Sequence, residues 1–286
     1  MSLIDWGAAL YTNTVWVKRG MAPKGWGQMK GEALYSAVKW ADQALRWTYG
    51  GIHLEGLLLQ RHQILDYLAE DKLRSGVSQV VEIGCGLSGR GLRLTQKYPH
   101  ITYVESDLPA IIDEKARLAQ KEKSSPASLK RVAINAVLKS GPLSLEEELR
   151  PFINPQRPVL VIMEGLANHL EGSDLRRVWE NIHRFLSRGV GGVYLSDYLL
   201  AQQVLSRAPL RSFTQVVNQL MDNKFHFHLP SAEELRRTLL EVGFDAAYNY
   251  SPKEFYNILP IPQFKGGDLL TFVEAVKSPP LSPPIP

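Results

Sequence analysis

Gly84, Gly86 and Gly89 stand in VVEIGCGLSGRGLRL (residues 80–94), a literal G-x-G-x-x-G within an apolar run. Such a turn between a strand and a helix brings bare backbone up to a nucleotide cofactor. Two chemistries use it: hydride transfer with a nicotinamide dinucleotide, or methyl transfer from S-adenosylmethionine. A dinucleotide site uses its third glycine for close helix–strand packing and the helix N-terminus for the pyrophosphate. The sulfonium donor carries no phosphate. It needs a flat glycine turn, a ribose acceptor after the second strand, and a carboxylate for its ammonium.

The polar residues around the turn bear on that choice. Glu82 lies within the first strand, where a dinucleotide site normally has an apolar side chain. Glu105 and Asp107 follow Gly84 by 21 and 23 positions, a spacing that suits ribose hydroxyls under either chemistry. Asn135 ends a third apolar run, where its amide meets an adenine edge. Glu164 ends a fourth, in VLVIMEGLANHL. A carboxylate there is costly without a partner, and a cationic ligand is one candidate. Polar tips on four successive strands favour methyl transfer over hydride transfer. Among the histidines, His169 follows Glu164 by five residues and ranks first as a catalytic or substrate-binding group, ahead of His62. His226 and His228 alternate in KFHFHLP as a strand facing two environments does. Cys85 reads as a small residue the turn tolerates, with nothing beside it to activate a thiol.

The elements that must carry these residues follow from periodicity. Segments 79–84, 101–106, 130–135, 158–164 and 191–198 read as strands, with helices after the first, second and fourth. The helix at 173–187 is expected to take a Ser or Asp cap. Alternation of this kind means βαβ units, an α/β fold and a mostly parallel sheet, with ligand beyond the strand carboxyl ends. Residues 1–75 show no clear strand, hold five of the six tryptophans, and read as a helical cap with a break at Gly50–Gly51. A cofactor-binding domain is expected over 76–278, with a substrate lid at about 200–230 that includes a helix within 209–228. SAEELRRTLLEVGF is a helix closed by Gly243, AAYNY and DLLTFVEAVK a closing strand pair, and 279–286 a proline-rich disordered tail.

Bulk composition excludes several classes. The chain has 286 residues, 44% hydrophobic and 22% charged, with 33 basic and 29 acidic side chains. These are the proportions of an ordinary globular protein. No run of lysines and arginines marks a nucleic-acid face. No apolar stretch reaches the roughly 18 residues of a membrane span. A single cysteine rules out an internal disulfide and a Cys-rich zinc site. With no leader pattern at the N-terminus, a cytoplasmic protein is expected.

LLLQRHQILDYL, VVEIGCGLSGRGLRLT, YVESDLPAIIDEK and VLVIMEGLANHL resemble the leucine carboxyl methyltransferase family. The likeness is closer to its small-molecule branch, the polyketide-type carboxyl O-methyltransferases of the tetracenomycin kind. It implies a class I fold with a seven-stranded sheet, a helical cap over substrate, and S-adenosylmethionine as donor. By position it implies that Arg61, and Lys18 beside it, hold the donor's carboxylate. Gly84 would lie beneath the donor, Asp107 would take the ribose, Asn135 and the backbone of Ala136 the adenine, and Glu164 the methionine end. Asn135 stands where the family often has Asp, and ANHL where an aromatic residue is common. The acceptor expected is a small carboxylic acid, which needs no base. A phenol would need a histidine such as His169 or His62. A protein C-terminal carboxylate is the other acceptor the family implies.

Overall fold

A computed structural model of the chain describes residues 6–49, 53–121, 126–205, 226–264 and 267–279. Seven strands form one sheet: β1 (Gln79–Ile83), β2 (Thr102–Asp107), β3 (Leu129–Ala133), β4 (Val159–Met163), β5 (Gly192–Leu199), β6 (Ala246–Tyr250) and β7 (Leu270–Lys277). Their spatial order is β3-β2-β1-β4-β5-β7-β6. All neighbours run parallel except β7, which is antiparallel to β5 and β6. β1 and β4 lie side by side, Ile83 opposite Met163, so the order reverses between them. The turn after β1 and Glu164 after β4 therefore flank the point where an open α/β sheet binds its ligand. The closing strand pair expected at the C-terminus is β6 with β7.

β1 and β4 are buried along their whole length, and β4, VLVIM, accordingly reads as an unbroken apolar run, which in β1 only Gln79 and Glu82 interrupt. Val81, Ile83, Val161 and Met163 pack beneath α7 (Gly172–Ser187) through Leu175, Val178, Trp179 and Ile182, and beneath α9 (Ala232–Val242) through Leu235 and Leu239. Val80, Leu160 and Ile162 face the opposite layer, against Ile64, Leu65 and Leu68 of α3 (Leu54–Arg74) and Leu92 of α4 (Arg90–Lys97). By its packing α3 belongs to the sheet layer, although its sequence reads as part of the N-terminal helical region. The rest of that region, α1 (Trp6–Lys18) and α2 (Met29–Tyr49), adds a third cluster. There Tyr11, Trp16 and Trp26 close over Leu58 and Leu59 of α3, Leu87 of the glycine turn and Leu118 of α5 (Pro109–Ala119). Trp16 and Trp26 are core residues of the cap, whereas Trp6 and Trp40 are exposed.

α6 (Leu145–Leu149) and α8 (Ala201–Leu205) are single turns. Ser231 caps α9 through the Glu234 N–H, and Gly243 ends it in the left-handed conformation, as its sequence predicts. The cap expected for α7 is corrected. The residue before it is Glu171, which makes no side-chain cap bond, and Asp174 in the first turn pairs with Arg177 instead. The strand expected in KFHFHLP is also corrected: residues 226–229 are not a strand. His226 and His228 stack on one another at 5.1 Å, and the segment is held by the His226 N–H to the Asn168 carbonyl and by His228 to the Leu170 carbonyl. The break at Gly50–Gly51, the helix within 209–228 and nearly all of the tail lie outside the described residues. No described helix is long and apolar enough to cross a membrane.

Candidate active site

The glycine turn is built for two kinds of neighbour. Gly86 has φ +48° and nothing within 4 Å of where a Cβ would point, so the turn is open there. At Gly89 a Cβ would lie 2.5 Å from the Met21 carbonyl oxygen and 2.9 Å from Ala22 Cα. The third glycine of the fingerprint thus admits the N-terminal cap. The close packing of α4 on the sheet falls to Gly91, whose Cβ would stand 2.6 Å from Glu105 Oε1. With its N-cap glycine pressed against Met21, the start of α4 is not presented to a pyrophosphate, which removes the physical basis of the dinucleotide reading.

Asp107 ends β2 and is fixed by the Gly86 N–H at 2.8 Å and the Leu108 N–H at 2.7 Å. Burial raises its carboxyl above the ordinary value, opposed by those two donors. Asn135 Oδ1 accepts the Val137 N–H, and its own N–H donates to the Leu143 carbonyl. The Ala136 carbonyl accepts from Asn181 of α7. These bonds set the loop after β3 beside the end of β2, where the Ile134 N–H meets the Asp107 carbonyl. The structure therefore brings Gly84, Gly86, Asp107, Asn135, Ala136 and Glu164 to one edge of the sheet.

Three expected ligands have partners within the protein. Glu82 Oε1 accepts from Arg90 Nη1 at 2.7 Å and Oε2 from the Tyr103 hydroxyl at 2.9 Å, in full burial. Glu105 is sealed beneath the turn between Lys115 and Arg131, each at 3.0 Å. Burial pushes the Glu105 carboxyl up, against the pull of those two cations. The cation that Glu164 requires is Arg90, whose Nη2 donates to Glu164 Oε2. Burial alone would raise Glu164, but the Arg90 guanidinium and the His62 N–H hold it well below the ordinary carboxylate range. The sequence reading of these carboxylates missed Arg90, which is fully buried and also binds Asp66 Oδ1 at 2.5 Å. Its only signal was a basic residue opening a helix on a face otherwise apolar.

His62 sits at the centre of this cluster, stacked on Trp16 at 4.3 Å. Its Nε2 lies 2.8 Å from Arg93 Nη2, and its Nδ1 lies 3.0 Å from both Glu164 Oε2 and Arg90 Nη2. Both ring nitrogens are engaged and the side chain is fully buried, which corrects its expected placement as a base facing substrate. Arg93 also donates to the Met21 carbonyl, tying the cap to the cluster. The neighbourhood holds three carboxylates (Asp66, Glu82, Glu164) and two guanidiniums (Arg90, Arg93), with the His62 ring between them.

Arg61, one position earlier on α3, leaves the cluster and lies against Gly165, where a Cβ would be 2.9 Å from its Nη1. Its Nε pairs with Asp197 of β5 at 2.6 Å. His169 is half-buried in the turn after Glu164, its N–H bonded to the Leu166 carbonyl. Lys18 is not drawn to this edge by any contact. It pairs with Glu32 of α2 at 2.7 Å and lies over the Tyr35 ring. Burial raises the Cys85 thiol well above its ordinary value, so it is no nucleophile.

Solved structures share this architecture. A candidate methyltransferase from Thermobifida fusca superposes over 94% of both chains with TM-score 0.66 and 13% identity. An O-methyltransferase family protein from Burkholderia thailandensis has TM-score 0.53 and 13% identity over 76% of this chain and 56% of its own. The magnesium protoporphyrin IX methyltransferase of Synechocystis, solved with bound S-adenosylhomocysteine, gives 0.52 and 13% over 84% and 95%. At such identities the likeness is one of fold. No curated protein sequence gives a significant match. A family model for leucine carboxyl methyltransferases matches residues 30–183, from α2 through α7, more than half of the chain. That span contains the glycine turn, the end of β2, the loop after β3 and Glu164, and by it the chain belongs to the leucine carboxyl methyltransferase family.

Proposed function

We propose that the protein is an S-adenosylmethionine-dependent O-methyltransferase that esterifies the carboxylate of a small organic acid. The observation that carries the donor is the pairing of opposite charges at the end of β4. The Arg61 guanidinium rests on Gly165, and the next residue back is Glu164, in a cluster of three carboxylates and two guanidiniums. A guanidinium beside an acidic pocket fits the carboxylate and ammonium of an amino acid, and a dinucleotide has neither arrangement. The open face of the turn at Gly86 and the fixed Asp107 carboxylate complete a cradle for a nucleoside.

In this reading Arg61 and Glu164 hold the methionine end, Asp107 the ribose, and Asn135 with the Ala136 backbone the adenine. The bound donor supplies an electrophilic methyl group on a sulfonium. The residues of this chain hold the acceptor oxygen in line with it and keep water out, and such positioning is worth up to about 7–11 kcal/mol. A carboxylic acid with pKa near 4 is ionised at neutral pH and needs no base. The sealing of His62 supports that acceptor over a phenol, because a base must reach the proton it takes.

Titration calorimetry of the purified protein with S-adenosylhomocysteine tests the donor site. Asp107→Ala is expected to abolish detectable binding while the far-UV spectrum and melting curve stay cooperative. Unchanged affinity in that variant overturns the assignment.

A further inference from the structure

We infer that Asp197 is a positioning residue for donor recognition, aiming the Arg61 guanidinium at an incoming carboxylate. This rests on the donor site proposed above. Asp197 stands near the carboxyl end of β5, next to β4, and its side chain is 1% exposed. It makes two contacts. Oδ1 accepts the Gly165 N–H at 2.8 Å, and Oδ2 faces Arg61 Nε at 2.6 Å. The first secures the turn on which the guanidinium rests. The second holds the guanidinium by its inner edge.

The consequence is directional. A carboxylate beside Nε takes one edge of the planar guanidinium and leaves the end edge, formed by one N–H of each Nη, facing away from it. Neither Nη of Arg61 has a hydrogen-bond partner among the described residues. Nη1 lies over Gly165, where any side chain would collide with it, so the glycine keeps the way to that edge clear. Two unused parallel donors at the sheet's ligand edge form the fork that binds a carboxylate bidentately. A buried carboxylate is costly, and no described cation other than Arg61 pairs with Asp197. A merely structural role, accepting the Gly165 N–H, would be met as well by the neutral amide of an asparagine. Fixing the direction of Arg61 is the role that needs the charge.

The test compares two nucleosides, S-adenosylhomocysteine and 5′-methylthioadenosine, which lacks the amino acid end. Asp197→Asn keeps the shape and an acceptor for the Gly165 N–H but loses the charge that holds Arg61. It is expected to weaken S-adenosylhomocysteine roughly tenfold, the loss of one well-oriented charged contact, and methylthioadenosine less than twofold. Arg61→Gln, at a position only partly buried, is expected to show the same selectivity. In the Arg61→Gln background Asp197→Asn should then add nothing, because it acts through the residue already removed. Equal losses for both nucleosides, or an additive double variant, overturn the inference. If Asp197→Asn does not fold, Arg61→Gln decides alone: unchanged S-adenosylhomocysteine affinity there overturns it. Wild-type protein that binds neither nucleoside refutes the donor site itself, a separate outcome.

Discussion

Glu164 serves two partners. Arg90 holds Oε2 and the His62 ring lies within reach of both oxygens, while in the proposed site the same carboxylate faces the donor's ammonium. Removing charge from either side of this balance has unequal effects. Glu164→Gln leaves two carboxylates to two guanidiniums, so the melting temperature is expected to fall only slightly. Affinity for S-adenosylhomocysteine should fall about tenfold, as an ammonium loses its charged partner. Arg90→Met leaves three carboxylates around a buried apolar chain and is expected to cost about 3–5 kcal/mol. Denaturant unfolding with calorimetry on both variants checks the contrast, and equal destabilisation would contradict the charge count. His169, five residues after Glu164, tests the acceptor. His169→Ala is expected to retain kcat on a carboxylic acid within a few-fold, and loss of all turnover would point to a weakly acidic hydroxyl.

Among elements, α4 joins the site to the cap. Gly89 meets Met21 and Ala22, Arg93 donates to the Met21 carbonyl, and Trp16 stacks on His62. The cap is thus packed directly onto the ionic cluster that supports Glu164. Gly89→Val would force side-chain atoms into the Met21 carbonyl, displacing residues 21–22 at an expected cost of about 1–3 kcal/mol. Trp16 and Trp26 would gain water contact. A red shift in tryptophan emission together with a lower melting temperature is the expected reading. Emission identical to wild type would show that the cap does not depend on this contact.

Over the whole molecule, buried carboxylates set the response to acid. Burial would raise Asp66, but His62, Arg90 and Arg93 hold it down at about 2, below its ordinary 3.8. Glu164 is lowered as well. A carboxylate depressed in the fold stabilises it fully above the ordinary value, and that contribution is lost as pH falls towards the depressed one. Asp107, Glu105 and Asp197 are raised by burial and act in the opposite sense. Asp66→Asn is therefore expected to lose less melting temperature than wild type between about pH 5 and pH 3. Parallel losses would place the acid-sensitive group elsewhere.

The strands, the glycine turn, the closing hairpin of β6 and β7, and the family were legible in the sequence, because periodicity and turn chemistry act over a few residues. The position of Asp107 and Asn135 along one edge of the sheet was legible too, since the ends of parallel strands and the loops that follow them lie on the same side. What only the tertiary structure decided is which charges are already matched. Glu82, Glu105 and Glu164 find Arg90, Lys115 and Arg131 on other elements, and His62 is shut in by Trp16 of α1, 46 residues earlier in the chain (62 − 16). Each partner sits on a different element, 8 residues away for Glu82 and Arg90 and 74 for Glu164 and Arg90, and Coulomb energy depends on distance in space, which sequence spacing does not give.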